Sequence, residues 1–189
     1  KKIGGIGNVA VRAITFDFWR TLFSDPREPV ERRQIRIDAV CKATGATPDA
    51  ALRALLTSES EFLQHHIRTQ CTLGPIEAVA IVGRELNVSI NDRDAHELAE
   101  IFGSAILHYP PVAISGGLEA VRAAAARFPI GIISDAGISP GKSLRTILKR
   151  NGYDGVLIPD HAPQMTCAAP WHAGMAFACG WMKAALRAV

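Results

Sequence analysis

The stretch "AITFDFWRTLFSD" (residues 13–25) decides how this chain is read. An apolar, partly β-branched run stops at one carboxylate, Asp17, and continues as Phe18, Trp19, Arg20, Thr21 and Leu22. With the loose "GGIGN" before it, the run over residues 9–16 predicts a strand. A carboxylate at such a tip has two readings. It is a strand-end cap, or it is a nucleophile held by nearby donors. The indole two residues on has two readings as well, packing or substrate contact, and packing is favoured. The glycines at Gly5 and Gly7, with Ala10, superficially match a dinucleotide-binding loop. They precede the strand instead of joining strand to helix, so that reading is set aside.

Downstream, residues 29–108 carry only helical patterns. "PVERRQIRIDAVCKATG" opens on Pro29 and stops at Gly45. The next helix has Thr47 as its N-cap and Pro48 at its first position, with Leu52, Leu55, Leu56, Phe62 and Leu63 as its apolar stripe. "GPIEAVAIVGRELN" and "NDRDAHELAEIFGSAILH" give two more, the last capped at Asn91/Asp92. Four amphipathic helices without an intervening strand predict a bundle of their own. His65 and His66 are adjacent on one of them and cannot share a face, so a surface pair is expected there.

The pattern changes after "YPPVAISGG". "LEAVRAAAARF" predicts a helix and "PIGIIS" a strand ending at Ser134. "SPGKSLRTILKRNG" predicts a helix from a Ser139 cap to Gly152, and "DGVLIPD" a further strand. Strands alternating with helices mean a parallel sheet with right-handed crossovers. The helical block is then an insertion after the first strand of an α/β core. In such sheets ligands bind at the carboxyl ends of the strands, where Asp17 and Ser134 both stand. A hydroxyl on the tip beside an acid suits oxyanion binding.

The bulk numbers exclude several classes. The chain has 189 residues, 48% of them hydrophobic, and a net charge of +3 with scattered cations. No basic stripe points to nucleic acid, and no apolar run reaches membrane-spanning length. Cys41, Cys71, Cys167 and Cys179 match no zinc spacing, nor do His161 and His172 complete one; reduced thiols and a cytoplasmic setting are expected. No Asp or Glu follows Asp160, while all three Met and two of the three Trp do. That shift reads as a divergent terminus or a changed reading frame, with the α/β pattern incomplete after about residue 160.

"ITFDFWRTLF" and "GIISDAG", separated by a helical block, resemble the haloacid dehalogenase (HAD) superfamily over residues 9 to about 160. The resemblance implies a Rossmann-like parallel α/β core, residues 1–24 plus 110–189, with an all-helical cap over 25–109. It implies Asp17 as nucleophile, Thr21 fixing the loop, and Ser134 bonding the transferring group. Lys142 stands where the family's charge-balancing Lys is sought, and Lys183 is the only later lysine. Trp19, Arg20 and Asp135 fall at substrate-facing positions. Mg²⁺ would take the Asp17 carboxylate and the Trp19 backbone carbonyl.

Three departures qualify the resemblance. The family's phosphatases carry an acid where Trp19 stands, and indole transfers no proton near neutral pH. The family's haloacid dehalogenases carry Tyr there and then Gly, where this chain has Arg20. The acidic metal cluster is missing, so weak Mg²⁺ binding is expected. The expectation is a HAD-like hydrolase acting on a small anionic substrate. A phosphate ester stands first, a 2-haloacid second, and a scaffold that has lost catalysis is the non-enzymatic alternative.

Overall fold

The computed structural model describes residues 12–25, 30–69, 71–134 and 137–159. The glycine segment before the first strand, Pro29, Asp135, Asp160 and residues 161–189 with Lys183 lie outside these. The described chain is mostly helical with a small parallel sheet, an α/β fold.

Four helices run in sequence: α1 (Val30–Thr44), α2 (Pro48–Thr69), α3 (Pro75–Glu85) and α4 (Asp92–His108). Their ends follow from local chemistry. Gly45 ends α1 at φ +73°, a left-handed conformation that glycine adopts without steric cost. Thr47 Oγ1 accepts the Ala50 N–H at 3.3 Å and Asn91 Oδ1 that of Asp94 at 3.0 Å, each satisfying an otherwise orphaned first-turn donor. Glu77 reaches back to take the Gly74 N–H at 2.8 Å at the start of α3.

The helices close into a ring. α1 packs on α2 and α4, and α3 on the same two. Val40, Leu55, Val79, Val82 and Phe102 meet inside it. The stripe expected on α2 is partly wrong. Leu56 and Leu63 are 44% and 55% exposed, while Ala51, Ala54, Leu55 and Ser58 are buried. The small residues at those three- and four-residue spacings let neighbouring helices approach closely, and that contact sets the rotation of α2.

The sheet is built from β1 (Ile14–Asp17), β4 (Ile130–Ser134) and β5 (Val156–Pro159), parallel and in the order β1-β4-β5. Between them lie β2 (Phe23–Ser24), β3 (Val112–Ala113), α5 (Gly117–Ala125) and α6 (Gly141–Arg150). β1 starts at Ile14 and includes Asp17, so the strand is shorter than the apolar run suggests. α6 is capped by Pro140, not Ser139: the Pro140 carbonyl, at an extended ψ of 157°, receives the Ser143 N–H at 2.8 Å. The antiparallel pair β2–β3, Phe23 with Ala113 and Ser24 with Val112, is absent from the sequence reading.

A second core lies on one face of the sheet, where Phe18, Leu22, Phe23, Val121, Ile132, Leu144 and Leu148 pack with Phe16 and Leu157. α4 serves both cores. Phe102 belongs to the helical one and Ile106, one turn later, to the sheet one. α4 thus contacts both cores, and Phe62 of α2 reaches the loop after β4 as well. Among the described residues no helix is long and apolar enough to cross a membrane.

Candidate active site

The two strand tips are neighbours. β1 and β4 pair in parallel with Asp17 opposite Ile133, and the ladder continues one bond further as Phe18 N–H donates to the Ile133 carbonyl at 2.9 Å. Asp17 is exposed, on the solvent side of a strand whose residues alternate in burial. Ser134 is one residue beyond Ile133 and only 2% exposed. By strand alternation it falls on the packed side with Ile132, whereas Asp17 shares the side of Ile133. The tips are therefore adjacent but offset by one residue, which spacing in the sequence cannot reveal.

Past Asp17 the chain turns tightly. The Leu22 and Phe23 N–H groups both donate to the Phe18 carbonyl, at 3.1 and 2.9 Å, and Arg20 N–H donates to the Phe23 carbonyl at 2.7 Å. This turn brings Thr21 back over the acid. Its Oγ1 donates to Asp17 Oδ2 at 3.2 Å, long for an O–H···O bond, so it orients the carboxylate more than it binds it. The turn places Arg20 at φ +61°, a left-handed conformation that suits glycine and strains arginine. Arg20 is exposed.

Trp19 is half-buried and packs edge-on to Phe18, ring centroids 4.9 Å apart, at the margin of the sheet core. Its indole extends the aromatic layer that Phe18 forms with Phe23. Lys142, in the first turn of α6, has its Nζ 2.6 Å from both carboxylate oxygens of Glu100 on α4. Its charge is matched there, across the junction of block and sheet. Asp135 lies outside the described residues.

Mg²⁺ asks for near-octahedral oxygen coordination. Among the described residues no three His, Cys, Asp or Glu side chains form a group that could hold a metal.

The sequence reading missed two features. His66 is not a surface residue but half-buried, its ring stacked on Phe62 with centroids 6.2 Å apart. Phe62 in turn covers Gly137, where an added Cβ would lie 2.6 Å from Phe62 Cε2, so α2 sits against the loop after β4. A cavity of about 90 Å³ opens beside it, lined by Glu59, Phe62, Leu73, Ala78 and Ile138. The second feature is a row of arginines on α1. Arg32 pairs with Asp25, Arg33 with Glu59 at 3.1 Å, and Arg36 donates Nε and Nη2 to the Phe102 carbonyl at 3.3 Å. Burial pushes the Arg36 guanidinium down to about 10; Glu59 opposes the fall, and Arg32 and Arg33 add to it. The helical spacing of these residues hid them, since charges on an amphipathic helix normally mark its wet face.

No family model and no curated protein matches the chain. Among solved structures, the crystal structure of an L-2-haloacid dehalogenase is similar at 16% identity, covering 79% of this chain and 64% of that one, with a TM-score of 0.37. The chain thus spans less than two thirds of that protein's length.

Proposed function

We propose that the chain is a HAD-like hydrolase that uses Asp17 as nucleophile on a small anionic substrate, with residues 25–109 acting as a cap over the strand tips. One observation carries the reading: Asp17 stands exposed at the tip of β1 with Thr21 folded back to orient it. Attack by one Asp17 oxygen forms a covalent ester or acyl phosphate as the leaving group departs with its electron pair. Water then cleaves that intermediate and restores the carboxylate. Ser134 ends the adjoining strand on its packed side, one residue beyond the partner of Asp17, and α2 against the post-β4 loop helps to exclude water.

Two substrate classes fit this step. The sequence resemblance puts a phosphate ester first. The packing of Trp19 favours the second reading, a 2-haloacid, because no proton donor occupies that position and a departing halide needs none. Isotope labelling separates them. In H₂¹⁸O a haloacid route has water attack the Asp17 ester carbonyl, so the label enters Asp17. A phosphoryl route has water attack phosphorus, so the label enters phosphate. Asp17→Asn should abolish turnover in either case. Equal hydrolysis of an aryl phosphate and of 2-chloropropionate by parent and mutant would remove Asp17 from its role. If the parent turns over neither compound, the scaffold reading without catalysis stands.

A further inference from the structure

The helical block is spliced between β2 and β3, so the chain crosses between block and sheet twice, after Asp25 and before Val112. Both crossings meet at one side chain. Arg32, in the first turn of α1, is 5% exposed. Its Nη1 and Nη2 donate to the two Asp25 oxygens at 2.8 and 2.7 Å. Its Nε donates to the Tyr109 carbonyl at 2.6 Å. Tyr109 is the C-cap of α4, so that carbonyl belongs to a helix end lacking an intrahelical donor. One planar fork thus ties the start of α1, the end of α4 and the end of β2.

Away from the crossings, α4 and α6 hold block and sheet together through Ser143 Oγ on the Gly103 carbonyl and Lys142 on Glu100; at the crossings the backbone pairing is short. The β2–β3 ribbon is two residue pairs long, and Val112 on it is 59% exposed. The neighbouring cations are engaged elsewhere, Arg33 with Glu59 and Arg36 with Phe102. A buried ion pair adds little net stability, since desolvation offsets its attraction, but a bidentate one restricts geometry strongly. Three directed donors in one plane are also something lysine cannot copy.

We propose that Arg32 is a positioning residue: it fixes the attitude of the helical block over the Asp17 tip, and so the width of the cleft that receives substrate. This rests on the block acting as a cap and on Asp17 as nucleophile. The experiment separates the two claims. Amide hydrogen exchange on the full chain is compared for parent, Arg32→Lys, Arg32→Met and Asp25→Asn. Arg32→Lys keeps the cation without the fork, and Asp25→Asn tests the same tie from its other end. Amides of residues 23–25 and 112–114 should exchange about tenfold faster in all three variants, while those of α2 and α3 stay within about twofold, the signature of local opening. Equal acceleration throughout α2 and α3 would make Arg32 an ordinary core support and overturn the proposal, as would no change at either crossing. On whichever substrate the parent hydrolyses, Arg32→Lys should lower kcat/KM by about 10- to 100-fold, through kcat and KM together, as displacement of a closing element does. An unchanged KM would also overturn it. An inactive parent would defeat the hydrolase reading and leave the exchange result to decide whether Arg32 ties the crossings.

Discussion

The helical block and the sheet solve the same problem of burial in opposite ways. In the block every helix has two helical neighbours, and the ring α1-α2-α3-α4 closes around its own core. The sheet is open. β1 has a described partner on one side only, and Thr15 and Asp17 stay exposed on one of its faces while Phe16 is packed on the other. The ring turns its apolar faces inward on one another, whereas an open sheet presents strand tips and the donors of the turn beyond them.

Breaking the shared element should hurt most. Phe102 is fully buried in the block core on α4, one turn before Ile106 of the sheet core. Phe102→Ala should cost about 3–5 kcal/mol, the range for truncating a buried aromatic. Because α4 serves both cores, chemical denaturation should show block and sheet lost together. Retained protection of β4 amides while α1–α3 exchange freely would show that the block unfolds alone and that α4 does not couple them.

The seam between the regions gives a smaller effect. At Gly103, in the middle of α4, an added Cβ would lie 2.9 and 3.0 Å from the Pro140 ring carbons just before α6. Alanine would gain up to about 1 kcal/mol of helix propensity over glycine. The proline ring cannot rotate away, and overpacking costs about 1–3 kcal/mol, so Gly103→Ala should be destabilising by about 1–2 kcal/mol. A stabilised variant, measured by urea midpoint at constant m, would mean that α4 and α6 can separate and that the seam is looser than the contact implies.

The same contrast explains what could be read from the sequence. The block's limits were legible because they are local: Thr47, Asn91 and Gly45 act within three or four residues of the helix ends that they fix. β4 was legible as an apolar run between turn residues, and Thr21 over Asp17 is a contact four residues apart. What failed depends on distant partners. The β2–β3 pair joins residues nearly ninety positions apart through two-residue strands with no periodicity to show. Lys142 pairs with Glu100, 42 positions away, and such a pairing leaves no trace in spacing. The buried Arg32 and Arg36 look like ordinary charges on a helix until Asp25, Tyr109 and Phe102 are seen beside them.

Arg36 tests the block's interior from within. Its folded pKa of about 10 lies below the ordinary guanidinium value, so the fold disfavours its charge. The penalty is fully present below about pH 10 and is relieved as pH rises above about 10, where the unfolded chain still holds the proton and the folded chain has released it. At neutral pH the charge is retained at a cost. Arg36→Met removes it, and Glu59 keeps Arg33 as partner. Replacing buried ionic groups by apolar ones of similar size is often neutral or stabilising, so a gain of about 1 kcal/mol is expected at pH 7. A loss of that size would show that the two bonds to the Phe102 carbonyl outweigh desolvation, and that the block is held by polar ties as the crossings are.

The smallest effect compares one backbone conformation in the two regions. Arg20 beside the strand tip and Asn87 after α3 both have left-handed φ, +61° and +54°. Asparagine tolerates this conformation, and a residue just past a helix end commonly adopts it. Arginine pays about 1–2 kcal/mol for it. Glycine removes that strain, though its greater freedom in the unfolded chain takes back about 0.5–1 kcal/mol. Arg20→Gly should therefore stabilise by about 0.5–1 kcal/mol, while Asn87→Gly should stay within about 0.5 kcal/mol of the parent. Thermal unfolding of both variants beside the parent measures the difference. If Arg20→Gly is neutral or worse, the exposed guanidinium offsets its backbone strain through contacts that a glycine cannot make, and the turn over Asp17 is held by its side chain as well as by its hydrogen bonds. If Arg20→Gly stabilises but lowers kcat/KM on an anionic substrate, the strained arginine is kept for the charge it presents at the mouth of the site.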